Sequence, residues 1–113
     1  MVSAVTRAVF AVFATLGSVI SAGGQVSGSV DQVIQRASDG LTYVYINGTP
    51  TGSPACAGRT YFIIADENSE AGKKQFAMLL VAKATGQRVI VTGTGTCARW
   101  PDGENIELIQ LID

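Results

Sequence analysis

Asp102 and Glu104 stand two positions apart beside a turn. They are the nearest thing to an acid/base pair in a chain with nine Asp and Glu and no histidine. Two carboxylates can divide the general acid and base roles of a hydrolase, but a pair flanking Pro101-Asp102-Gly103 is more simply read as solvated loop residues. Without histidine, triads of the Ser-His and Cys-His type are excluded. Asp66, Glu67 and Glu70 cluster where a helix should start, and acids there are accounted for by the positive end of the helix dipole. Gly93-Thr94-Gly95-Thr96 is rich in glycine, but it opens no helix and no lysine follows, so it is a tight bend and not a phosphate loop. Arg99-Trp100 is the most suggestive pair. An aromatic ring beside a cation can stack on a sugar or anchor a partner, and it can equally cover one end of a barrel. Tyr43 and Tyr45 fall on one face of a strand and read as core or subunit contacts. Catalysis, a metal site and a cofactor are all unexpected in this pattern.

Cys56 and Cys97 are the only cysteines. Neither has a second cysteine nearby, and no histidine can complete a zinc set, which leaves a metal as the weak alternative to a disulfide. A bridge between them would enclose about 42 residues, for which loop entropy gives an upper-end stabilisation of about 4 kcal/mol. Such a staple suits a small exported domain whose core is marginal.

The N-terminus supplies the export. Arg7 is followed by an uncharged, mostly apolar run from Ala8 to Ile20, then by small residues at Ser21-Ala22-Gly23-Gly24. This is the three-part pattern of a secretory signal peptide, with cleavage expected after Ala22 or within two residues of it. The run, about 13 residues, is shorter than a bilayer span, although a retained anchor is the competing reading. The division is therefore 1–22 signal peptide and 23–113 mature domain, secreted or periplasmic. Nine acids nearly balance eight bases. Loss of Arg7 leaves the domain slightly acidic, which argues against nucleic acid and against electrostatic adhesion to an anionic membrane.

The elements that must position these residues follow from pattern and punctuation. Strands are expected at Gln25–Gln35, Leu41–Ile46, Arg59–Ile64, Gln87–Thr92 and Asn105–Ile112. Ser38-Asp39-Gly40, Asn47-Gly48 and Trp100 to Gly103 mark turns. A helix capped by Asn68 or Ser69 should run to Thr85 and end at Gly86. Phe76, Leu79, Leu80 and Lys83 form its main stripe, with Ala77, Val81 and Ala84 beside it and Met78 and Ala82 on the far side. In the last strand, Ile106, Leu108 and Ile112 should share one face, with Ile109 and Leu111 on the other. Three strands, one helix and two strands is the element order of an OB-fold-like barrel, mainly β with one helix and one disulfide.

One resemblance rests on Leu79-Leu80-x-Ala82, Thr85-Gly86-Gln87-x-Val89, Gly93-x-Gly95-Thr96-Cys97, Trp100 and Glu104-x-Ile106, with Cys56 and Tyr61-Phe62-Ile63 upstream. The chain resembles small exported bacterial proteins related to the B subunit of subtilase cytotoxin. That resemblance implies an OB-fold barrel, a five-membered ring and a sialylated glycan as ligand. It also implies a sugar contact at Ser27, in the Ser27-Gly28 pair. The tyrosine that the toxin subunit carries just after its fourth strand is replaced here by Gly93. The expected function is a non-enzymatic binding module for a glycan or glycoprotein, read with Ser27, Arg99 and Trp100. The alternative is a structural or protein-interaction subunit of the cell envelope, assembled through its strands and its apolar helix.

Overall fold

The computed structural model describes residues 23–113, so the signal peptide assigned to 1–22 lies outside the described residues. Five strands and one helix follow in the expected order. They are β1 (Gln25–Gln35), β2 (Thr42–Ile46), β3 (Phe62–Ile63), α1 (Glu70–Thr85), β4 (Arg88–Gly93) and β5 (Glu104–Ile112). The strands close into a barrel in the order β1-β2-β3-β5-β4, with β4 returning to β1. All pairings are antiparallel except β3 with β5, where Phe62 faces Glu104 and Ile63 faces Asn105.

The third strand is much shorter than the Arg59–Ile64 expected from its β-branched and aromatic residues. The backbone N–H of Arg59 donates to Asp102 O, and Ile64 N–H donates to Thr42 O. The flanks of this segment therefore bond to individual carbonyls and carry on no regular ladder. Both residues that remain in the strand are buried. Phe62 points into the core, and Ile63 is covered from outside by the turn at Gly103, where an added Cβ would lie 2.7 Å from Ile63 Cδ1.

The inward residues are Val26, Val30, Val44, Ile46, Phe62, Ile64, Val89, Val91, Ile106 and Ile109, closed over by Leu79 and Ala82 of α1. Two register shifts explain where simple alternation fails. One falls between Val30 and Gln32 on β1, and the other lies opposite Thr92/Gly93 on β5, where Ile106 pairs with Gly93 and Leu108 with Thr92. Each inserts an unpaired residue and switches the face of the strand that follows. Ile106 is thus inward before the bulge and Ile109 after it, whereas Leu108 is 42% exposed. The expected face of Ile106, Leu108 and Ile112 is corrected by that single extra residue.

Helix α1 begins and ends as the sequence indicated. The Ser69 side chain accepts from Gly72 N–H at 2.9 Å, and Gly86 takes the left-handed conformation at φ 73°. Its facing differs. Gly72, Leu79 and Ala82 are buried, and Phe76 and Met78 pack partly on the core, while Leu80 and Val81 point to solvent at 46% and 49% exposure. Small residues decide this. A Cβ on Gly72 would lie 1.9 Å from Asp66 O, so the bare glycine lets the first turn of the helix lie against the segment that leads into it. A count of large apolar residues gives Gly72 and Ala82 no weight, which is why it placed Ala82 and Met78 on the far side.

Cys56 and Cys97 form the disulfide, with Cα atoms 6.2 Å apart, joining the loop before β3 to the segment after β4. No helix among the described residues is long and apolar enough to cross a membrane. The disulfide is compatible with an extracellular or periplasmic location.

Candidate functional site

Strand β2 alternates strictly. Thr42, Val44 and Ile46 are buried and Tyr43 and Tyr45 are half-exposed on the outer surface. Tyr61, just ahead of β3, joins them. Its ring centroid lies 4.9 Å from that of Tyr43 and 5.6 Å from that of Tyr45, the second pair edge-on at 86°. The three rings make one aromatic surface on the outside of strands two and three. In OB folds this face, together with the loops joining strands one to two and four to five, is where oligonucleotides and oligosaccharides bind.

Both loops contribute. From the β1–β2 turn, the Arg36 guanidinium lies over the Trp100 ring at 4.5 Å from its centroid, in cation–π geometry. Trp100 sits in the β4–β5 loop, held by a bridge to Gly103. Asp39 binds Arg36 through its side chain and accepts from Leu41 N–H at 3.1 Å. These two bonds, the Arg36 one foremost, hold the Asp39 carboxyl down at about 2. The same bond raises Arg36 above its ordinary value, with nearby Tyr43 and Tyr61 adding to the effect. On the far edge, the Tyr61 hydroxyl donates to Asp102, which also faces Arg59 at 3.7 Å. Burial first, and the Asp102 hydrogen bond second, push the Tyr61 hydroxyl up to about 12, so it is a neutral donor at physiological pH.

Arg99 lies behind this face. Its guanidinium bonds the Glu67 carboxylate at 3.4 Å and donates to Asp39 O at 3.0 Å, and its backbone N–H donates to Asn105 Oδ1. It therefore ties the β1–β2 turn to the start of α1, and the cation presented to the aromatic rings is Arg36. On the other side of the same turn lies a cleft of about 440 Å³. Phe76 forms part of its wall, and Gln35, Asp39, Thr42, Glu67 and Lys73 line it with polar groups.

The structure brings Arg99 and Trp100 to one end of the barrel but not Ser27. That residue is exposed on β1, where it pairs with Ile90 of β4, close to the Asn47–Gly48 turn. It lies nine residues from Arg36 along the strand, a separation of about 30 Å at the usual rise. Its neighbour Gly28 has a packing role, since a Cβ there would lie 2.0 Å from Asn47 O.

Asp102 and Glu104, read as a solvated pair, are corrected. Asp102 is committed to Tyr61 and Arg59. Glu104 is 1% exposed and accepts from Gly24 N–H at 2.9 Å and Gly95 N–H at 2.8 Å. The sequence reading put Tyr43 and Tyr45 on one strand face but took them for core or subunit contacts, and it missed Tyr61 and Arg36 beside them. The available signal for the outer face was the alternation of Thr42-Tyr43-Val44-Tyr45-Ile46, in which both rings must face away from the core. No group of three or more acidic, histidine or cysteine residues suited to a metal ion occurs among the described residues. No family model, curated protein or solved structure matches this chain.

Proposed function

We propose that this protein is a non-enzymatic glycan-binding module that reads its ligand on the outer face formed by Tyr43, Tyr45, Tyr61 and Trp100. The observation that carries the reading is that three half-exposed tyrosines, two on strand two and one just ahead of strand three, stand beside Arg36, whose guanidinium lies over a tryptophan of the adjoining loop. Sugar rings have an apolar face that stacks on aromatic rings and hydroxyls that need polar partners. The Tyr43 and Tyr45 hydroxyls, Arg36 and the polar walls of the neighbouring cleft supply such partners. The resemblance to the subtilase cytotoxin B subunit agrees with a sugar ligand, although the residue it singles out, Ser27, lies at the other end of β1.

The test is a glycan array followed by titration against the best ligand. Trp100→Ala and Tyr43→Ala should each lower affinity at least tenfold, about 1.4 kcal/mol, with the barrel still folded. Ser27→Ala should leave affinity unchanged. A ligand that binds equally well to the Trp100 and Tyr43 variants would refute the proposed face, and loss on Ser27→Ala would move the site to the β1–β4 side.

A second reading rests on α1. Ala77, Leu80, Val81 and Ala84 recur at helical spacing and are all exposed. Such a stripe suits contact with a second copy of the chain, giving an envelope subunit built by self-association. Repeated copies would also multiply weak sugar sites by avidity, so the two readings are compatible.

A further inference from the structure

Glu104 is the most deeply buried ionisable side chain in the core, and its surroundings are built from glycine. An added Cβ would lie 2.1 Å from its Oε2 at Gly23, 2.8 Å from Oε1 at Gly24 and 2.1 Å from Cδ at Gly93. The backbone thus passes the carboxylate at distances only glycine allows. Gly24 N–H reaches both oxygens, at 3.2 and 2.9 Å, and Gly95 N–H reaches Oε2 at 2.8 Å. All these donors are neutral. Among the described residues no lysine or arginine pairs with Glu104. On its own strand Glu107 is exposed, and the adjoining Asp102 is taken by Arg59 and Tyr61. Strands β3 and β4 face it with Phe62 and Gly93, and the loop beside Gly24 with Ser53. A buried carboxylate without a cation is costly.

One position could supply the cation. Tetrahedral geometry at the Gly23 Cα puts its backbone nitrogen about 2.5 Å from the Cβ position, hence within about 4.6 Å of Glu104 Oε2. We propose that the chain is cut between Ala22 and Gly23 and that the freed Gly23 ammonium pairs with Glu104, locking the barrel end after processing. An exported endopeptidase of the signal-peptidase class catalyses the cut, and water is the co-reactant. The amide C–N bond breaks, the acyl carbon of Ala22 takes the hydroxyl of water, and the Gly23 nitrogen takes two protons, the other proton of water and the one the new carboxylic acid sheds, so that Ala22 leaves as a carboxylate and Gly23 begins with an ammonium. Ala22 supplies the small residue ahead of the cut, and the glycines at 23 and 24 give the freed end unobstructed passage beside Glu104.

The proposal rests on the export signal, and its two halves are separately readable. The full chain, exported from a bacterial host, should have an intact mass that starts at Gly23; a different first residue overturns the assigned cut. For the pairing, chains starting at Gly23 and at Ala22 are compared, each with Glu104 and with Glu104→Gln. The ammonium is favoured by the carboxylate, so its pKa should rise at least one unit above the ordinary value of about 7.7–8.0. Its stabilisation is then complete below about pH 8 and disappears as pH rises through the raised value. At pH 7 the Gly23 chain should melt roughly 5 °C above the Ala22 chain, and Glu104→Gln should erase that difference. An equal melting temperature for the two starts overturns the pairing, as does a difference that survives Glu104→Gln. Should Glu104→Gln fail to fold, the amine titration decides alone: an ordinary pKa in the Gly23 chain overturns the proposal.

Discussion

Tyr61 shows how one side chain can be committed from two directions. Its ring belongs to the aromatic face, while its hydroxyl is committed to Asp102. The neutral phenol is the favoured form, so the contact contributes stability that is complete below about pH 10 and is lost as pH rises through about 12. Replacing Asp102 by Asn removes the negative charge and leaves a weaker, neutral amide oxygen to accept from Tyr61, while the burial stays. A spectrophotometric titration of the tyrosines should then show Tyr61 ionising at lower pH than in the parent. Little of this was legible in the sequence. Tyr61 and Asp102 are 41 positions apart, and only the closure of the barrel makes them neighbours. Glu104 was misread for a related reason. A carboxylate one step past Asp-Gly belongs to solvent unless the chain returns to bury it, and the residues that do so, Gly23 and Gly24, are some 80 positions upstream.

At the scale of elements, local chemistry was readable and facing was not. Ser69 and Gly86 mark both ends of α1 because caps are set by residues within one turn. The five strands were found because each carries its own alternation and its own turns. The bulges on β1 and β5 carry no such local mark, yet each reverses which residues face inward. The same distinction governs assembly. Leu79 is wholly buried, so a charge there would damage the core, whereas Leu80 is 46% exposed and tests the outer stripe alone. If copies associate through α1, light scattering on the oxidised domain should give a multiple of the chain mass, reduced to one chain by Leu80→Glu with the melting temperature little changed. A single-chain mass for the parent would leave the stripe without a self-partner and reject that second reading.

The whole molecule was the most legible scale, since element order and a single cysteine pair together indicate a stapled barrel. The unexpected part is how unevenly the barrel is closed. β4 and β5 pair over six registered positions, but β3 meets each of its neighbours, β2 and β5, over only two, and only the β3–β5 edge separates segments joined by the disulfide. Closure therefore has a seam, and the disulfide crosses it, joining the loop that enters β3 to the loop that enters β5. Breaking the bridge by Cys56→Ser with Cys97→Ser should cost about 3–4 kcal/mol, a drop of roughly 15–25 °C in melting temperature. The loss should be uneven in amide exchange, with Phe62, Ile63 and Asn105 losing protection well before Val89 or Val91. A barrel clasped this way can breathe along one line without unfolding. Since Tyr61 and Trp100 lie on the two lips of that line, a ligand spanning them would act as a second clasp, and bound ligand should slow exchange at the seam even in the reduced protein.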